Sequence, residues 1–168
     1  YLKLEDFNKF EDIADIYFSG SDQVWNTGWN NGIIPPFYLS FVPKDKPKYA
    51  YASSFGKSKL DKKEIEETKK YLERYTKISV REESGVDILK NQLNIDNAIR
   101  IVDPTLVMPA SFWKNISPKS KIKEDYILIY NLNKSKEFDQ YASELAKRTG
   151  LKLYRFCTRL DQILKNGK

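Results

Sequence analysis

The sequence predicts an α/β protein, a Rossmann-like parallel sheet with flanking helices. Two observations carry this. Short apolar runs alternate with amphipathic stretches along most of the chain, and strands alternating with helices build parallel sheets. The apolar runs also stop abruptly on small or polar residues, at Gly20-Ser21-Asp22, Ser54-Phe55-Gly56, Arg81-Glu82 and Asp103-Pro104. Such a junction is a buried strand meeting a turn. A sheet of this kind is expected to be covered on both faces.

The elements follow in order. Leu2, Leu4, Phe7, Phe10 and Ile13 are loosely helical in spacing and predict a short helix within Tyr1–Asp12. Asp15–Ser19 is the first strand, and the loop Gly20-Ser21-Asp22-Gln23-Val24-Trp25-Asn26 follows it. Residues 26–47 are rich in Asn, Gly and Pro and form a long loop, pinned to the body by Phe37-Tyr38-Leu39 and Phe41-Val42 as a short edge strand. Lys48–Ser53 is the second strand. Asp61 with Glu64 is a capping box, and Ile65, Thr68, Leu72 and Tyr75 lay one stripe on the helix it opens. Thr76–Val80 is the third strand. Arg81-Glu82-Glu83-Ser84 opens a second helix with Val86, Leu89 and Leu93 on one face, and Ala98–Val102 is the fourth strand.

Periodicity is then lost over 105–125, where Phe112 and Trp113 pack down as a single turn. A new βαβ unit begins at Tyr126–Asn131. Its helix is capped by Ser135, ends at Gly150 and leads into the strand Leu151–Cys157. Residues 1–108 therefore read as the C-terminal part of a first Rossmann-like domain, 109–125 as an interdomain linker, and 126–168 as the start of a second. The chain begins at Tyr1, not Met, and reads as a piece of a longer one.

Composition narrows the function. The net charge is +6, but the 29 Lys and Arg are interleaved with 23 acids and form no basic block, so no nucleic-acid partner is expected. A cleft for an anionic small molecule fits the same charge, as do solubilising surface lysines. There is no histidine, which removes Ser-His and Cys-His catalysis and most zinc sites. The single Cys157 cannot form an intrachain disulfide and reads as a buried thiol. No G-x-G-x-x-G or P-loop follows a strand, no apolar run reaches the ~20 residues of a bilayer span, and no metal or cofactor is expected.

Ligands of parallel α/β sheets bind beyond the carboxyl ends of the strands, and parallel strands would put all four polar ends on one edge. Arg81 matches a carboxylate or phosphate bidentately, the alternative being an ion pair with Glu82 or Asp103. Asp22 and Glu82 suit a general acid, a base or an acceptor of sugar hydroxyls, the alternative being helix capping. Arg81, Asp22 and Glu82 are the candidate catalytic residues. Gly20, Ser21, Gln23, Trp25, Asn26, Ser54 and Asp103 are the candidate substrate contacts. Trp25 and Trp29 suit a stacking platform for a sugar, or equally a packed core.

Four segments resemble the polysaccharide pyruvyl transferase family: Gly20-Ser21-Asp22-Gln23-Val24-Trp25-Asn26, Tyr51-Ala52-Ser53-Ser54-Phe55-Gly56, Ile78-Ser79-Val80-Arg81-Glu82 and Val102-Asp103-Pro104-Thr105-Leu106. The resemblance implies a GT-B-like two-domain architecture with the site between domains. It implies transfer of a pyruvyl group from phosphoenolpyruvate to a sugar of a cell-surface or exopolysaccharide, typically as a ketal. It further implies a sugar or lipid-linked oligosaccharide acceptor, a cytoplasmic location and peripheral association with membrane-bound glycan machinery. The family's histidine-containing second-domain motif has no counterpart here, so this stretch would be inactive alone. The alternatives are a GT-B glycosyltransferase using a nucleotide sugar, and a non-catalytic sugar-binding module.

Overall fold

The computed structural model describes residues 4–156. It divides into two compact units, Tyr1–Asn115 and Ile116–Lys168. Leu2 of the predicted first helix and Cys157 of the predicted last strand lie outside the described residues.

The first unit is a four-stranded parallel sheet in the sequential order β1 (Tyr17–Ser19), β2 (Lys48–Ser53), β3 (Lys77–Val80) and β4 (Ile99–Arg100). A 3-10 helix at Leu4–Phe10 precedes it. The predicted edge strand near residue 37 is instead a 3-10 turn, Pro35–Tyr38. Two prolines at its start preset the helical φ and supply no N–H, which suits a helical start and not a strand ladder. The anchoring is as expected, with Tyr38, Leu39 and Val42 buried.

Helix α1 (Lys62–Leu72) starts at the Asp61/Glu64 capping box, and its stripe buries Thr68 and Leu72, with Tyr75 just beyond its end. Helix α2 (Glu83–Asp87) runs into a π-helical turn, Ile88–Gln92, that buries Ile88 and Leu89. Gly85 lets α2 lie close to β3, where an added Cβ would sit 3.1 Å from the Val80 side chain. Trp25, Tyr38, Phe55, Leu72, Val80, Leu89 and Leu93 share one core with these elements. The segment expected to be an irregular connection carries two short helices, α3 (Pro104–Val107) and α4 (Ala110–Ile116).

Among the described residues, the core covers one face of this sheet. On the other, Phe18 is 63% exposed and stacks on Tyr49 at 5.3 Å, and Tyr51 and Ile99 are exposed as well. The expected cover of both faces is not met among the described residues, and topology gives the reason. Parallel crossovers are almost always right-handed, so a strictly sequential strand order sends every connection over the same face. Lys48 departs from the surface role expected of lysines. It is buried at the start of β2, and its Nζ donates to the carbonyls of Pro43 and Lys46 (2.8 Å to the latter).

The second unit is β5 (Tyr126–Tyr130), α5 (Lys136–Thr149) and β6 (Lys152–Phe156), with the two strands paired in parallel. Ser135 Oγ accepts from Phe138 N at 3.1 Å, and Gly150 closes the helix at φ 70°. Among the described residues of this unit only Ile129 and Ala142 are buried, in keeping with the small apolar surface that one βαβ turn has for a core. Among the described residues, no helix is long and apolar enough to cross a membrane.

Candidate functional site

Because β1 to β4 are parallel, their carboxyl ends share one edge. The four polar segments named from the sequence begin there. Backbone bonds knit them together. Ser54 N donates to Asp22 O (3.1 Å), Trp25 N to Ser54 O (3.2 Å), Arg81 N to Ser53 O (3.1 Å) and Ile101 N to Val80 O (2.9 Å). Ser53 Oγ adds a bond to Ser19 O at 3.0 Å. Ser79 Oγ donates to Ala50 O (2.8 Å) and accepts from Ala52 N (3.1 Å), spanning the irregularity in the β2–β3 register.

Gly20 makes this close approach possible. Its φ is +121°, and a Cβ there would lie 2.2 Å from the Tyr51 carbonyl oxygen. The Gly20–Ser21 peptide is cis. Ser21 is half-buried in the turn, and Asp22 projects from it with its carboxylate 90% exposed.

Arg81 sits at the centre of the edge, half-buried. Its Nε donates to Glu82 Oε1 at 3.2 Å and its Nη1 to Asp103 Oδ2 at 3.0 Å. Nη2 is 3.9 Å from Asp22 Oδ1, beyond hydrogen-bond reach. Burial works against the guanidinium charge, but the bonds to Asp103 and Glu82 outweigh it and raise the pKa above the ordinary value. Asp103 is also the N-cap of α3. Its Oδ1 accepts from Thr105 Oγ1 (2.7 Å) and Thr105 N (3.0 Å). These bonds, and then the one from Arg81, hold its carboxyl below the usual range. Both ion pairs weighed for Arg81 in the sequence are therefore formed, and Nη2 is the one guanidinium nitrogen without a hydrogen bond to them.

Gln23 and Asn26 lie beside this group. Asn26 Oδ1 accepts from Gly28 N and Trp29 N, each at 3.1 Å, and its Nδ2 donates to Gln23 Oε1 at 2.6 Å. Gly56 lies against this pair, since a Cβ there would be 2.2 Å from Asn26 Nδ2 and 2.5 Å from Gln23 Oε1. Trp25 is turned away from the edge. It is 0% exposed, stacks on Tyr38 at 5.8 Å, and donates from Nε1 to Phe37 O at 3.3 Å. Its part is to anchor the loop from beneath, and it offers no surface to a ligand. Trp29, by contrast, is 84% exposed. Ser54 is buried as well, and its Oγ accepts from Gly56 N at 3.0 Å.

A tether absent from the sequence reading joins Lys57, Thr27 and Glu64. Lys57 Nζ donates to Thr27 Oγ1 (2.6 Å) and to buried Glu64 Oε1 (2.8 Å), which also accepts from Asp61 N (2.8 Å). Burial alone would raise the Glu64 pKa, but the bonds from Lys57, Thr27 and Asp61 bring it below the usual value. The capping box was legible as a helix start. That its glutamate also fastens the loop after Asn26 was not, because Thr27, Lys57 and Glu64 meet only through the fold. A pocket of about 320 Å³ lined by Leu72, Tyr75, Ile78 and Asn94 opens at the amino end of β3, away from the polar strand ends.

The edge thus offers one guanidinium among three carboxylates, one of them exposed on the motif loop, and a fixed pair of amides. The model of the family described as polysaccharide pyruvyl transferase matches residues 2–168. No curated protein and no solved structure matches the chain.

Proposed function

The chain belongs to the polysaccharide pyruvyl transferase family, and we propose that its reaction moves a pyruvyl group from phosphoenolpyruvate to a sugar of a cell-surface or exopolysaccharide, forming a ketal. One observation carries this reading. Four segments distant in sequence converge on a single sheet edge around Arg81, whose Nη2 is unbonded to the carboxylates that hold the rest of the guanidinium.

In this reading Nη2 receives the anionic donor, because a guanidinium held by Glu82 and Asp103 is already oriented and needs little reorganisation. Glu82 and Asp103 position Arg81. Asp22 carries protons. In the first step the Asp22 carboxylate takes the proton of a sugar hydroxyl and passes it to the methylene carbon of phosphoenolpyruvate, while that sugar oxygen bonds to the adjacent carbon and the carboxylate is restored. In the second step a neighbouring hydroxyl bonds to the same carbon, and phosphate leaves with that hydroxyl's proton. The two protons of the sugar hydroxyls are thereby accounted for, one on the new methyl group and one on phosphate.

A GT-B-like architecture belongs to the same proposal, with residues 109–125 as interdomain linker. The division between compact units after Asn115 falls inside that span and supports it. The acceptor is a sugar or a lipid-linked oligosaccharide, and the place of action is cytoplasmic, at the membrane surface where glycans are assembled.

The test is incubation of the complete protein with phosphoenolpyruvate and a panel of free and lipid-linked glycans. Phosphate release matched mole for mole by pyruvylated sugar is expected. Thermal protection by UDP or GDP but not by phosphoenolpyruvate would overturn the reading in favour of a nucleotide-sugar glycosyltransferase.

A further inference from the structure

We infer that Gln23 is a locked hydrogen-bond donor that, paired with the Asp22 carboxylate, forms the subsite for vicinal hydroxyls of the sugar. The inference deepens the sheet-edge site proposed above and rests on it, but not on its reaction.

The direction of the Gln23 amide follows from its neighbours. Two backbone N–H groups, of Gly28 and Trp29, point at one atom of the Asn26 amide, each at 3.1 Å. That atom must be the oxygen, since an amide nitrogen does not accept. The Asn26 nitrogen is therefore the group facing Gln23, at 2.6 Å, so Gln23 must turn its own oxygen toward it. The Gln23 NH2 then faces away from Asn26, on a side chain exposed to solvent. A free glutamine presents either end. This one presents a donor because the backbone settles Asn26 and Asn26 settles Gln23. Gly56 leaves the room the two amides need.

An acceptor lies on the preceding residue. Asp22 Oδ1 accepts from Gln23 N at 2.7 Å, which holds the carboxylate against the same stretch of backbone, and the carboxylate is exposed. A neutral donor and an anionic acceptor on adjoining residues match two neighbouring hydroxyls, each of which both donates and accepts. An anionic ligand would use the donor and be repelled by Asp22. The amide pair thus selects a polyol, and Arg81 takes the anion.

The test compares Gln23→Met, neutral and similar in shape, with Asn26→Asp, which keeps the acceptor for Gly28 and Trp29 but loses the donor to Gln23. Binding of methyl glucoside, galactoside and mannoside is read by saturation-transfer NMR on the complete protein, beside phosphoenolpyruvate binding and Tm. Each single variant is expected to weaken glycoside binding about tenfold, as loss of one well-placed hydrogen bond does. Phosphoenolpyruvate affinity and Tm should stay unchanged in Gln23→Met. The double variant should lose no more than Gln23→Met, since the two residues act as one unit. Undiminished glycoside binding in either single variant overturns the inference. So does a wild-type protein that binds none of the three glycosides, or a matched loss of phosphoenolpyruvate affinity in Gln23→Met. Because binding is read without turnover, absence of pyruvyl transfer would remove the proposed reaction and leave this subsite standing.

Discussion

Arg81 Nη1 donates to Asp103 Oδ2 at 3.0 Å, joining the end of β3 to the end of β4. Asp103 is fixed from its other side by Thr105, so the guanidinium rests on a support that is itself held at the start of α3. Lysine at position 81 would keep the charge but could not reach Glu82 and Asp103 while leaving a nitrogen for a ligand. Arg81→Lys should lower kcat/KM for phosphoenolpyruvate by roughly 100-fold or more, the usual loss when one oriented charge donor goes. The ion pairs are partly exposed, so stability should fall by only about 1 kcal/mol. Phosphate-release kinetics beside urea denaturation checks both, and a loss of stability larger than the loss of activity would make Arg81 a structural residue.

Glu64 gives the protein an acid-sensitive contact. Its folded-state pKa lies below the ordinary value, so the contact stabilises the fold above the unfolded pKa of about 4.3 and is lost as pH falls through the lower folded value. Wild-type protein should therefore lose urea resistance as pH falls below the unfolded value of about 4.3. Glu64→Gln should cost about 2 kcal/mol at pH 7, the scale of a hydrogen bond to a charged group, and should show a flatter profile below that value. Equal slopes for the two proteins would place the acid-sensitive group elsewhere.

Two glycines of the edge should respond differently to alanine. At Gly20 the new Cβ meets a backbone carbonyl 2.2 Å away, in a φ region that L residues rarely adopt. Gly20→Ala should cost about 3 kcal/mol or more and lower the yield of folded protein. At Gly56, φ is +62° and the atoms in the way are the side-chain amides of Asn26 and Gln23. These can move, so Gly56→Ala should cost only about 1–2 kcal/mol. Its main effect should fall on the sugar, with KM for the acceptor glycan rising more than KM for phosphoenolpyruvate.

The strands, the main helices and the four polar strand ends were legible because each announces itself locally, by an apolar run, a capping box or a glycine. The parallel order then placed Gly20, Ser54, Arg81 and Asp103 on one edge without further information. What escaped was set by partners far along the chain. Phe18 and Tyr49 look like core residues in sequence, yet lie on a face that the sequential strand order leaves open among the described residues. Lys48 looks like a surface lysine, yet its charge is taken up by the carbonyls of Pro43 and Lys46. Proline chemistry at Pro35 and Pro36 could have predicted the 3-10 turn, whereas nothing local joins Lys57 to Thr27.

Trp25 and Trp29 stand four residues apart in one loop and both suit sugar stacking in sequence, with Trp25 the one named as a substrate contact, but burial separates them. Trp25 is enclosed by Tyr38, Phe55 and Tyr75, with ring centroids 5.1 to 6.0 Å away. Trp25→Ala should cost about 3–5 kcal/mol, the transfer free energy of the indole plus a cavity term, and any activity it loses should track unfolding. Trp29→Ala removes an indole that is 84% exposed and should change stability by less than about 0.5 kcal/mol. Its backbone N–H, which helps to hold Asn26, survives the substitution. A rise in glycan KM for Trp29→Ala would therefore come from the ring itself, at about 1 kcal/mol for one stacked face. Acrylamide quenching supplies an independent check, since wild-type fluorescence should lose its most accessible component in Trp29→Ala. If Trp29→Ala instead unfolds the protein, the exposed ring belongs to a packed surface and the stacking role falls.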